Sequence, residues 1–180
     1  MIHLPPAALV LLIGASGSGK STFASRHFDH DAVVSSDRLR GLVAGDESDQ
    51  RATDAAFARL REWLDARLTA GGLAVVDATN VDWMQRGELI ALSHKHGRPA
   101  IAIVFNLPLE VCLARNATRS RTVHASVIRR QVAQVTRDID RLDLEGFAAV
   151  HVLGSVADVD AVSLEIEKGP VTGPSRRSVS

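Results

Sequence analysis

The sequence contains no tyrosine, one cysteine and two methionines, and aromatic residues fill only 4% of its 180 positions. The lone cysteine, Cys112, excludes an intrachain disulfide and a metal site built from several thiolates, and it suits a reducing compartment. With so few aromatics, a core must be made from Val, Leu, Ile and Ala, the composition of strands buried on both faces. An excess of one charge is missing too, since 21 basic and 21 acidic side chains cancel. A chain with no net field does not draw in long polyanions from a distance, so any nucleic acid it touches must be held locally. The apolar run at residues 7–13 falls far short of the roughly 20 residues a membrane helix needs. Only His3 precedes that run where a secretory leader would carry positive charge. The expected location is cytoplasmic, with no membrane partner.

What is present is a 46% hydrophobic content, enough for one well-buried core. The expected organisation is a single domain over residues 1–168. The segment at 169–180, GPVTGPSRRSVS, is almost free of apolar residues and reads as a flexible tail. Short apolar runs at 8–13, 32–34, 73–76, 100–105 and 148–153 are five candidate strands. Between them, Phe57, Leu60, Leu64 and Leu68 recur at helical spacing within 52–70, and Gly71-Gly72 ends that helix. A second helix over 126–142 presents Ile128, Val132, Val135, Ile139 and Leu142 on one face, and a third is expected at 109–116, after Pro108. Trp83 and Met84 begin or pack another helix, on which His94 and His96 face different ways and form no metal pair. Strands alternating with helices build right-handed βαβ units, hence an α/β fold with a parallel sheet of about five strands and helices on both faces. Ligands of such sheets bind beyond the carboxyl ends of the strands.

The strongest motif stands at the end of the first long run. Residues 14–21, GASGSGKS, fit G-x-x-x-x-G-K-[ST] between a buried strand and a helix. The contact set for phosphates is Gly14, Ser16, Gly17, Ser18, Gly19, Lys20, Ser21 and Thr22. Glycines let consecutive N–H groups turn inward, and the helix that follows adds the positive end of its dipole. Lys20 supplies charge to the outer phosphates, and the Ser21 hydroxyl can ligate Mg²⁺. These features predict a nucleoside triphosphate, ATP or another NTP, bound with Mg²⁺.

Three further places carry chemistry. Asp77 ends the run at 73–76 and reads either as a carboxylate acting on Mg²⁺ through water or as a cap for the loop 77–80. Asp37, at the end of the second strand, is a candidate general base for an acceptor hydroxyl. One helical turn on, Arg40 can bind an anion on the same acceptor. The bland alternative makes Asp37 an N-cap and Arg40 a solvated charge. The third helix runs into Arg115, Arg119, Arg121 and His124, a basic cluster in an otherwise neutral chain, either an exposed loop or a lid; Arg115 and Arg119 share a helical face if the helix continues that far. A lid of this kind delivers guanidiniums to the oxygens of a transferring phosphoryl group.

Taken together, residues 14–22, Ser36-Asp37 with Arg40, the DATN at 77–80 and the RNATR at 115–119 resemble the kinase domain of phage and bacterial 5′-hydroxyl polynucleotide kinases, over about residues 8–155. The resemblance implies that Asp37 activates the 5′-hydroxyl for in-line attack on the γ-phosphate and that Arg40 holds the acceptor's 3′-phosphate. It implies that Arg115 and Arg119 cover the donor phosphates, with Arg119 catalytic beside Lys20, and that Val123 and Val127 support the acceptor's terminal base. Many members of that family carry a phosphatase or ligase domain, for which this chain has no room. The implied partner is a 5′-hydroxyl polynucleotide end, with no obligate protein partner. The same phosphate loop and base would also serve a kinase of a small hydroxylated metabolite or antibiotic. A nucleotide-dependent regulatory ATPase needs the loop but not Asp37.

Overall fold

The computed structural model describes residues 1–35 and 50–167. In chain order the elements are β1 (Ile2–Leu4), β2 (Leu9–Gly14), α1 (Lys20–His27), β3 (Val33–Ser35), α2 (Gln50–Thr69), β4 (Ala74–Asp77), α3 (Trp83–Lys95), β5 (Ala100–Phe105), α4 (Leu109–Ala117), α5 (Ala125–Asp138), β6 (Ala149–Leu153), α6 (Val156–Ala161) and β7 (Leu164–Ile166). Short 3₁₀ segments occupy His30–Ala32, one turn, and Ile139–Leu144, about two turns.

The five apolar runs form one parallel sheet in the order β3-β4-β2-β5-β6. All six residues of β2 and all six of β5 are buried, because both lie inside the sheet and are covered on both faces. Successive residues feed opposite layers, as strand geometry requires. Val10, Leu12, Ile101 and Ile103 pack with Phe23 of α1, Cys112 of α4 and Ile128 of α5. Leu9, Leu11, Ala102 and Val104 pack with Leu60, Leu64 and Leu68 of α2 and Leu89 of α3. Helix α5 serves both layers, with Ile128 in the first and Val135 in the second.

Three expectations need correction or completion. The helix expected over 126–142 ends at Asp138 and tightens into the 3₁₀ segment. Three residues per turn bring Ile139 and Leu142 onto one side, where both reach the second layer. A further two-stranded sheet pairs β1 with β7, in register Ile2↔Leu164 to Leu4↔Ile166. Its inward residues, Ile2 and Leu4, extend the first layer. The expected second strand starts one residue late, since Ala32 belongs to a 3₁₀ turn. The segment 169–180, Asp37 and Arg40 lie outside the described residues. None of the described helices is long and apolar enough to cross a membrane.

Candidate functional site

A cleft of about 510 Å³ opens at the carboxyl ends of the central strands. Its floor is the loop between β2 and α1. Gly17 and Gly19 take the left-handed backbone region, with φ of 84° and 99°, which side chains with a Cβ adopt at a cost. At Gly17 an added Cβ would also collide with the Cys112 carbonyl of α4. Gly19 is the N-cap of α1 and supplies no side-chain hydrogen bond, and no acidic residue stands in the first turn. The first N–H groups of this helix therefore keep their capacity for an anion. Lys20 is buried, and its Nζ donates to the carbonyls of Gly14 and Ala15 at 2.8 Å and to Ser18 Oγ at 3.3 Å. Ser16, Gly17, Gly19, Lys20, Ser21 and Thr22 line the cleft, whereas Gly14 and Ser18 support the loop from beneath.

The floor is tied to the loop after β4. Gly14 N–H donates to the Thr79 carbonyl at 3.0 Å, and the Asn80 amide donates to the Leu12 carbonyl at 2.8 Å and the Val76 carbonyl at 3.3 Å. Asn80 is the one non-glycine residue with positive φ, 48°, among the described residues. Its side-chain bonds hold it in a region that Asn tolerates better than most residues. Asn80 thus makes these bonds across the loop 77–80, and Asp77 lines the cleft beside Lys20 and Ser21.

Behind this loop lies Arg86 of α3, only 1% exposed. Its Nη1 donates to the Asn80 and Val81 carbonyls at 3.0 and 2.9 Å. Its Nε and Nη2 grip Glu145 at 2.7 and 2.6 Å, and Asp138 lies 3.6 Å away. Burial opposes the arginine's charge, but the Glu145 and Asp138 carboxylates overcome it and raise its pKa. Gln134 of α5 adds a bond to the Val81 carbonyl at 2.8 Å.

The opposite wall is the segment between α4 and α5. Arg115, in the last turn of α4, donates to the Ser18 carbonyl at 3.4 Å. Helix α4 ends at Ala117, so Arg119 lies beyond it, not on a continued helical face; Arg115, Arg119 and Arg121 all line the cleft nonetheless. What folds the segment back is Asn116, buried, whose amide and carbonyl oxygen hold Val123 O and Val123 N at 2.9 Å each. Val123 lines the cleft, while Val127 is half-buried on α5 and is not among the lining residues. Gln131 of α5 also lines the cleft, and its Oε1 accepts from Ser16 N–H at 2.9 Å. Sequence reasoning singled out none of Arg86, Asn116 and Gln131. Only Arg86 left a signal, since an arginine one turn before Leu89 and Ile90 sits on the apolar stripe of α3.

Burial pushes the Cys112 thiol up, against the pull of Lys20 and Arg115, so it remains protonated. No group of three or more His, Cys, Asp or Glu stands together among the described residues. A Mg²⁺ would be held here by the Ser21 hydroxyl, substrate phosphates and water, and Asp77 lines the same cleft.

The sequence matches the model of an AAA domain family, AAA_33, over residues 9–142. The chain belongs to this family. The phosphate loop at residues 14–21 lies inside the matched span. A chain of the Pnkp1/Rnl/Hen1 RNA repair complex superposes with TM-score 0.67 and 24% identity, over 79% of this chain and 48% of that one. This chain therefore spans about half the length of that relative. A sugar kinase from Janibacter sp. HTCC2649 gives TM-score 0.55 and 22% identity, over 84% of this chain and 87% of that one. A gluconokinase from Sinorhizobium meliloti 1021 gives 0.53 and 18%, over 85% of each chain. These likenesses establish the shared fold. No protein of curated function matches the sequence significantly.

Proposed function

We propose that the protein transfers the γ-phosphate of ATP to the 5′-hydroxyl end of RNA or DNA. The observation that carries this reading is the convergence of Lys20, Ser21, Asp77, Arg115 and Arg119 on one cleft at the strand ends. The ordered motif set that resembles polynucleotide kinases, and a structural neighbour drawn from an RNA repair complex, favour a polynucleotide acceptor.

In this reading the loop N–H groups and Lys20 hold the β- and γ-phosphates, and the Ser21 hydroxyl would hold a Mg²⁺ that would offset their charge. Arg115 reaches across from α4 to the donor side, and Arg119 stabilises charge on the equatorial oxygens of the transferring group. Asp37 accepts the proton of the 5′-hydroxyl as its oxygen attacks the γ-phosphorus. The bond from that phosphorus to the bridging oxygen breaks, and ADP carries away the electron pair. Arg40 holds the acceptor's 3′-phosphate. Val123 contributes to the acceptor side of the cleft.

The test is transfer from γ-labelled ATP to a panel of 5′-hydroxyl oligoribonucleotides, oligodeoxynucleotides, nucleosides and sugar acids. Oligonucleotides are expected to be labelled; labelling of the small molecules alone would replace this reading with a metabolite kinase. Asp37→Ala is expected to abolish transfer and leave ATP binding intact, and full activity in that variant sinks the general-base assignment. ATP hydrolysis without any labelled acceptor would point to the regulatory ATPase.

A further inference from the structure

We propose that Phe57 is the stacking platform for the terminal nucleobase of the acceptor; the proposal rests on the nucleic-acid reading above and sharpens it. The cleft has two chemistries. One part is cationic and rich in N–H groups, from residues 16–22 and the three lid arginines. The other is a patch of α2 formed by Ala56, Phe57 and Leu60, with Val123 contributed from the lid. Ala56 and Leu60 are 6% and 2% exposed, so the half-buried Phe57 offers the larger open surface of the helix patch.

Among the described residues Phe57 is the one aromatic lining the cleft, in a chain with few aromatics. Phe23, Phe28 and Phe105 are all buried in the core. The ring is also held. Arg61, which does not line the cleft, stands over it with Cζ 5.7 Å from the centroid, and Arg61 Nη1 is fixed by Glu88 Oε2 of α3 at 2.9 Å. A ring steadied from outside the cleft and left open towards it suits a flat apolar partner.

Acceptor chemistry then favours one class. A polyhydroxylated sugar can lay only its C–H face on the ring, and hydroxyls turned towards Ala56 and Leu60 would lose water without a new partner. A nucleobase presents a π-face with no such demand, and base–aromatic stacking tolerates any of the four bases. A chain with no net charge that grips one terminal nucleotide gains from such a contact, because it has no overall positive field to draw in a long strand.

The experiment uses the full chain and two 5′-hydroxyl oligonucleotides that differ only in whether the 5′-terminal sugar carries a base or is abasic. Phe57→Ala is expected to raise KM for the base-bearing acceptor by roughly five- to a hundredfold, the range of one lost stacking contact. It should leave the abasic acceptor and the KM for ATP unchanged. Phe57→Trp should restore tight binding, whereas Phe57→Leu, which keeps the packing but lacks a π-face, should restore little. Equal losses on both acceptors, or none on either, overturn the stacking role while leaving the nucleic-acid reading in place. If the unaltered protein labels neither oligonucleotide, the nucleic-acid reading and this proposal fall together.

Discussion

The two walls of the cleft are held by different means. The phosphate-loop wall is fixed by backbone bonds, by left-handed glycines that fit beneath α4, and by a buried ion pair behind the loop 77–80. The lid wall is folded by two bonds from one side chain, Asn116, to Val123. In the proposed reaction the first wall receives a donor whose phosphates do not vary with the acceptor, so rigid preorganisation serves it. In the same reading the second wall admits and releases ligand, and elements that move are drawn from the weakly held parts of a fold.

The most damaging way to break this contrast is to remove the support behind the first wall. Arg86→Ala leaves Glu145 without its cation and takes a donor from the Asn80 carbonyl, while Gln134 still serves the Val81 carbonyl and Arg137 still pairs with Asp138. Loss of one partner of a buried pair costs about 3–5 kcal/mol. The urea midpoint should fall accordingly, and Arg86→Met with Glu145→Leu should recover part of the loss. An unchanged midpoint in Arg86→Ala would mean that the loop 77–80 is held from the cleft side alone.

The second wall is expected to fail in function before it fails in stability. Arg119→Ala should lower kcat by about 10²–10³-fold, the typical effect of removing one donor to developing charge, with little change in the melting temperature. Arg115→Ala, whose side chain bonds the Ser18 carbonyl, should instead raise the KM for ATP. Steady-state kinetics on both variants checks the division; identical kcat losses would show that the two arginines act as one group.

A smaller effect sharpens the same contrast. Asn116→Ala removes both bonds to Val123 and should destabilise the lid by about 1–3 kcal/mol. Amide hydrogen exchange at residues 117–123 should quicken about 10- to 100-fold, while exchange in β2 and β5 stays slow. Uniform acceleration across the sheet would show that the lid is part of the same cooperative unit as the core.

The walls also differed in how far they could be read from sequence. The phosphate loop was legible because its geometry demands glycines at fixed places and its strand is a continuous apolar run. The sheet was legible for the same reason: strands buried on both faces leave an unbroken hydrophobic signature, as residues 9–13 and 100–105 do. Strands β1 and β7 left none, since each has three residues and its partner lies at the other end of the chain. The arginines of the lid could be named from composition, but not the residue that folds it. An Asn that clamps Val123 looks in sequence like any polar residue near a helix end. Arg119 would share a face with Arg115 only on a continued helix, and it reaches the cleft from beyond the end of α4. The resemblance paired Val127 with Val123, yet Val123 belongs to the segment before α5 and Val127 to α5, and only Val123 lines the cleft.

The smallest expected effect is a pH dependence carried by the first wall. His27 closes α1, the helix that bears Lys20, and its ring packs on Phe23 at 4.4 Å between centroids. A histidine at a helix C-terminus ordinarily gains a proton more easily. Here burial, and then the neighbouring Arg26, hold its pKa below the usual imidazole value, which is about 6.5. His151 is lowered too, chiefly by burial. Below that value the unfolded chain binds protons that the folded chain refuses, so the contribution of these two groups is greatest above about pH 6.5. It declines as the pH falls through that value and levels off once the folded-state pKa values are passed. Urea titrations of the unaltered protein and of His27→Gln between pH 8 and 5 check this, with the variant losing less stability on acidification. An equal or steeper loss in His27→Gln would mean that His27 is not protected from protonation by the fold, and that the helix dipole outweighs burial at this end of the loop's helix.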